Sequence, residues 1–128
     1  TTLSLASLAS AGTIDAVTYF ETTGWRGVME ASSGSMDPVN FPSEPGQPFP
    51  VYDILEAVNG FTRARHSASS RPEAVGALVL EGDRGARLLL ANLDGVAHPV
   101  TLRGHWTGSH TVPARSVTLI ELSGGTHA

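Results

Sequence analysis

Apolar residues along the chain follow two different rhythms, and the change comes near residue 60. Leu3, Leu5, Ala6, Leu8 and Ala9 recur as on a small-residue helix over residues 2–11, with Gly12 as its stop. A short apolar stretch at 15–20 reads as a strand, followed by an irregular loop at 21–49. Val51, Ile54, Leu55 and Val58 then form one apolar stripe and predict a helix over 50–59. Pro50 suits its first turn and Asn59-Gly60 its end. Helix, strand, loop and helix in that order are α/β material, with the strand expected in a parallel sheet.

Beyond residue 60 the rhythm shortens. "FTRARHSASS" predicts a first strand running into a loop, and "AVGALVLEGDRGARLLLANLDGVAHPVTLRG" predicts three more. Asp83-Arg84-Gly85 and Asp94-Gly95 carry hairpin chemistry. "SVTLIEL", introduced by Pro113, is the last strand. Short strands at about ten-residue spacing predict an antiparallel β-sandwich over 61–128, preceded by a separate unit at 1–60. Residues 32–50 are rich in Ser, Gly and Pro, and a loop of that length is usually functional or mobile.

Composition narrows the function classes. With 41% hydrophobic and 16% charged residues the chain can bury a core. The net charge is -4 and no basic run exists, so no nucleic-acid partner is expected; all eight basic residues are Arg, a compositional bias. The absence of Cys excludes disulfides and thiolate-bound metal. No apolar run approaches the roughly 20 residues of a membrane helix, so no membrane partner is expected. The chain opens on what reads as the middle of an element, and the expectation is the C-terminal fragment of a longer, cytoplasmic enzyme, a mature secreted chain being the alternative.

One motif carries candidate chemistry. In "VTYFETTGWRGVME" a strand runs into Glu21, with Trp25 and Arg26 between Gly24 and Gly27. Together with "FPVYDILEAVNGF" and the closing "PARSVTLIEL", it resembles the C-terminal end of a TIM-barrel glycoside hydrolase, and more closely the D-apionate lactonase family, bacterial sugar-acid enzymes with a glycosidase-like barrel and flanking β-domains. The resemblance covers most of the chain; its strand–loop motif is fairly specific and its sandwich pattern generic. It implies that the chain is mainly β, an antiparallel sandwich preceded by a helix–strand–loop–helix remnant of a (β/α)8 barrel. Residues 16–20 would be the eighth barrel strand, with Glu21, Trp25 and Arg26 at the active-site end. Trp25 would offer an apolar plate to a sugar ring, Arg26 a fork for a carboxylate or lactone oxygen, and Glu21 an acceptor for hydroxyls. The barrel's usual acid/base and nucleophile belong to its fourth and seventh strands, neither of which is in this chain. The implied function is therefore part of a carbohydrate-active hydrolase, cleaving a sugar-acid lactone or a glycosidic bond, inactive alone and needing no cofactor. Its partners would be a small carbohydrate or sugar-acid substrate and the barrel of the same polypeptide. The alternative is a non-catalytic carbohydrate-binding or structural β-sandwich.

Other residues have plainer readings. Glu21 and Arg26 could form a structural ion pair, and Trp25 could cap a core. Tyr19 and Phe20 alternate on the expected strand and so face opposite ways. His98, His105 and His110 lack the spacing of a helical zinc site and read as surface histidines, so no metal is expected. His66, close to Arg63 and Arg65, is a weak anion-site candidate. Glu30, Asp37 and Glu44 read as solvated loop carboxylates, and Asp53 and Glu56 favour the start of their helix. Trp106 either stacks on a carbohydrate or, more commonly for a single Trp, packs at a junction with the barrel.

Overall fold

The structure, a computed structural model, describes residues 1–65 and 67–122. His66, and with it the weak anion-site reading at that residue, lies outside the described residues. The chain is mainly β, with antiparallel sheets and two helices. It divides into two compact units: Asp15–Asn59, and Thr1–Ile14 together with the residues from Gly60 on. None of its described helices is long and apolar enough to cross a membrane.

In the larger unit, α1 (Thr2–Ala11) ends as expected at Gly12, whose φ of 70° puts it in the left-handed region while its N–H bonds the Ala9 carbonyl at 3.3 Å. Six strands follow: β3 (Arg63–Arg65), β4 (Val75–Gly82), β5 (Gly85–Asn92), β6 (His98–Leu102), β7 (Gly108–Val112) and β8 (Ser116–Leu122). (The earlier strands, β1 (Glu21–Thr23) and β2 (Gly27–Met29), belong to the other unit.) Four of the six form one antiparallel sheet in the order β3-β4-β5-β8, and β6 pairs with β7 in a separate ribbon.

Strand alternation distributes the side chains between two faces. Val79, Leu88, Leu90 and Leu122 point to one face and join Val112 of β7 in the buried core, with Val100, Leu102 and Trp106 packed against them. Leu78, Leu80, Leu89 and Ala91 alternate onto the other face, where α1 packs on β4. Gly76 lets Leu3 lie against the strand, since a Cβ there would overlap a methyl at the end of that side chain. With a layer on each side, the consecutive run 88–91 is buried throughout. The first helix thus groups with the strands, not with the 15–59 stretch that the sequence pattern placed beside it.

The turn at Asp83-Arg84 joins β4 to β5 as a hairpin, as expected. Asp94-Gly95 does not make one. The free edge of β5 is taken by β8, from Ala86↔Leu122 to Asn92↔Ser116. Residues 93–97 instead carry the chain across to the ribbon, so Asp94-Gly95 is a crossover.

In the smaller unit the expected strand at 15–20 does not form. Strand structure starts only at β1 (Glu21–Thr23), which pairs in parallel with β2 (Gly27–Met29). The physical reason is the ladder: no described strand runs beside 16–20, and an extended segment becomes a strand only when its N–H and C=O groups find a neighbour. Tyr19 and Phe20 do not face apart; their rings stack with centroids 5.7 Å apart. Segment 47–49 returns beside β2, with Glu30 N–H bonding the Gln47 carbonyl at 2.8 Å and Phe49 N–H the Val28 carbonyl at 2.9 Å. Residues 31–46 therefore form a loop closed at its base. α2 (Pro50–Val58) follows, with Pro50 in its first turn.

Candidate functional site

Two glycines and a short ladder set the geometry of the Glu21-Trp25-Arg26 loop. Gly24 takes a φ of 87° and Gly27 N–H bonds the Gly24 carbonyl at 2.7 Å, closing a tight turn. A Cβ on Gly27 would come within 2.7 Å of the Thr23 backbone, so only glycine lets β2 fold back this closely on β1. Glu21 N–H bonds the Arg26 carbonyl at 3.1 Å, which holds the two ends of the turn together.

The structure brings the three sequence-predicted residues into one cluster. Arg26 Nε lies 3.9 Å from Glu21 Oε1, and the Arg26 guanidinium carbon stands 5.4 Å from the centre of the Trp25 ring. The Trp25 ring in turn meets Phe41, at 5.8 Å and a 48° tilt. Phe41 comes from the closed 31–46 loop, and nothing in its own sequence neighbourhood marks it as a partner. Trp25 is 60% exposed and Phe41 54%, so this is an open aromatic surface and not a buried strut. The ion pair, with both side chains about two-thirds exposed, contributes little to stability. Chemically the cluster offers an apolar plate, a cation and a carboxylate on one loop.

Glu30 departs from expectation. It is 4% exposed, and its carboxylate accepts the Ala31 N–H at 2.8 Å and the Ser43 hydroxyl. It is therefore a buried group holding the base of the loop, not a solvated one. No local signal in the sequence announces this, because Ser43 lies thirteen residues away. Asp37, by contrast, is solvent-facing, and hydrogen bonds from the Asn40 side chain and backbone hold its carboxyl below the usual range.

The larger unit has its own concavity, a cleft of about 530 Å³ between the sheet, the β6–β7 ribbon and the loop after β3. Trp106 lines it, with Arg65 5.5 Å above the indole ring and His105 edge-on at 4.5 Å. Trp106 thus packs on the buried core of its own unit. His98 is not a simple surface residue: its side chain is largely buried, and Nε2 lies 2.8 Å from Asp94 Oδ2. Hydrogen bonds from His98 and from the Gly95 N–H hold the Asp94 carboxyl below its ordinary range. Among the described residues no group of three or more His, Asp or Glu is placed to hold a metal ion.

No protein-family model, curated protein or solved structure matches the chain.

Proposed function

We propose that the chain is part of a carbohydrate-active hydrolase, acting on a sugar-acid lactone or a glycosidic bond, in which the 21–26 loop binds substrate. The observation that carries this reading is the open cluster of Glu21, Trp25, Arg26 and Phe41. An exposed Trp suits the C–H face of a sugar ring, Arg a carboxylate or lactone oxygen, and Glu a hydroxyl. In this reading Asp15–Asn59 is the end of a (β/α)8 barrel. Its exposed Val17, Phe20, Met36, Val39 and Tyr52 support the idea, since they form the kind of apolar surface that the rest of a barrel would cover. The chain alone lacks the paired carboxylates of glycosidic cleavage and is inactive.

The test is Glu21→Gln and Trp25→Ala in the intact enzyme, assayed on sugar-acid lactones and aryl glycosides. Loss of a charged hydrogen bond to substrate lowers kcat/KM about ten- to hundredfold. A loss beyond about ten-thousandfold makes Glu21 a chemical participant instead. Unchanged kinetics in both variants removes the loop from the site.

A second reading, a structural or carbohydrate-binding β-sandwich without catalysis, is favoured by one observation: among the described residues, the hydrophobic cluster that joins the sheet to the ribbon draws on residues between 77 and 122. Neutral-sugar binding that persists in Trp25→Ala and is lost in Trp106→Ala supports it over the hydrolase.

A further inference from the structure

The cleft in the larger unit has a charge pattern opposite to that of the protein. Twelve carboxylate residues against eight arginines give the chain a net charge of -4. Yet Arg65, Arg71 and Arg103 line the cleft and no Asp or Glu does. The three come from separate segments: the end of β3, the loop before β4, and the turn after β6.

The arginines are not equivalent. Arg65 is held by Glu81, with Nη2 2.9 Å from Oε1, and so fixed above Trp106. Arg71 is tied to Glu73 at 3.2 Å. Arg103 makes no ion pair among the described residues. Its guanidinium therefore supplies uncompensated charge, while the other two offer their remaining N–H donors. Ser67 and Ser69 add hydroxyls, and the half-buried Ala77, Val100 and Leu102 give the cleft an apolar floor. A cleft of about 530 Å³ is in the range of small-molecule sites.

We infer that this cleft binds a small organic anion, a carboxylate or phosphate head on a body with an apolar face. The head meets Arg103 and the remaining N–H groups of Arg71, and the body lies along Trp106 and this apolar floor. A neutral ligand of the same shape leaves Arg103 without a counter-charge, and an inorganic anion leaves the apolar floor wet. The site therefore selects for both features together. This inference does not depend on the hydrolase reading, because none of the residues involved belongs to the 21–26 loop.

The experiment is a titration of the full chain, ¹⁵N-labelled, with glucuronate, glucose 6-phosphate, glucose and inorganic phosphate. Glucuronate or glucose 6-phosphate is expected to give saturable shifts at Thr101, Arg103 and the Trp106 indole, and which of the two binds tighter identifies the head. Glucose and inorganic phosphate bind at least about tenfold more weakly. Arg103→Ala weakens binding about ten- to hundredfold, the loss of a charged hydrogen bond. Arg84→Ala, at the β4–β5 turn and outside the cleft, leaves it unchanged. Raising the salt weakens the interaction. Equal response to glucose and to the two organic anions overturns the inference, as does undiminished binding in an Arg71→Ala/Arg103→Ala double variant that keeps its spectrum. Absence of saturable shifts at the cleft residues also overturns it, and shifts confined to Trp25 and Arg26 would do so while favouring the loop site.

Discussion

The side chain of Asn92 donates to the Val112 carbonyl at 3.1 Å, linking the end of β5 in the sheet to the end of β7 in the ribbon. The same amide nitrogen also lies 2.8 Å from the Val96 carbonyl and 3.0 Å from that of Pro113, while Oδ1 accepts the Asp94 N–H at 2.9 Å. Asn92 is 2% exposed and Val112 fully buried. One side chain thus satisfies the backbone where the chain leaves the sheet and where it returns.

Replacing Asn92 with Ala strips those carbonyls of their donor and destabilises the larger unit by about 2–4 kcal/mol. Asn92→Asp is the sharper variant. It keeps the acceptor for Asp94 but turns a donor into a charged acceptor facing carbonyl oxygens. Urea unfolding at pH 7 should show Asp worse than Ala, with the gap narrowing in acid as the introduced carboxyl gains a proton. Equal stability of Asn92→Ala and wild type would show that the crossover holds itself.

Gly76→Ala tests the seat of the first helix. The added methyl collides with the end of the Leu3 side chain, which is flexible enough to move but has packing to lose. Faster amide exchange in residues 5–11 is the expected result, with the sheet amides little changed. Leu3→Ala in the Gly76→Ala background should restore part of the protection, a coupling that independent sites would not show.

The Asp94–His98 contact makes a defined contribution to acid sensitivity. Hydrogen bonds from His98 and Gly95 depress the folded-state carboxyl below its unfolded value. The stabilisation is therefore complete above the unfolded pKa and is lost as pH falls through the folded one, beginning at about pH 4.5. In Asp94→Asn the stability curve between about pH 5 and pH 3 should fall less steeply than in wild type. A parallel curve would mean that the contact is not kept in solution.

Glu30 and Ser43 give a means of separating structure from chemistry in the smaller unit. Glu30→Ala leaves the Ala31 N–H and the Ser43 hydroxyl without their acceptor, at a cost of about 1–3 kcal/mol. Exchange at the Gly34 and Gly46 amides, both bonded to the Ala31 carbonyl, should rise accordingly. Ser43→Ala should produce a milder form of the same change. If the hydrolase proposal holds, a Glu30→Gln variant that keeps these amides protected while abolishing that activity would make the buried carboxylate chemical as well as structural.

Local signals determined the parts of the fold whose reasons are local. Alternating "SVTLIEL" became β8, the Asp83-Arg84 turn a hairpin, Pro50 the first turn of α2, and Gly12 the stop of α1. The sequence also placed Trp25 and Arg26 on a glycine-bounded turn three residues after Glu21, close enough that almost any folding of it brings them together. Tertiary structure decided whatever depends on partners distant in the chain. Asp94-Gly95 has the residues of a hairpin, but β8 occupies the edge that the hairpin would have used. Residues 16–20 have strand composition and no ladder partner among the described strands. Glu30 is buried because a loop closes over it from Ser43, and Phe41 reaches Trp25 from that same loop. Arg103 follows Arg71 by thirty-two residues, and only the packing of ribbon against sheet brings it to the same cleft as Arg65 and Arg71. Turn and alternation preferences act over a few residues, whereas layer packing and edge pairing are settled by which distant surfaces bury each other best.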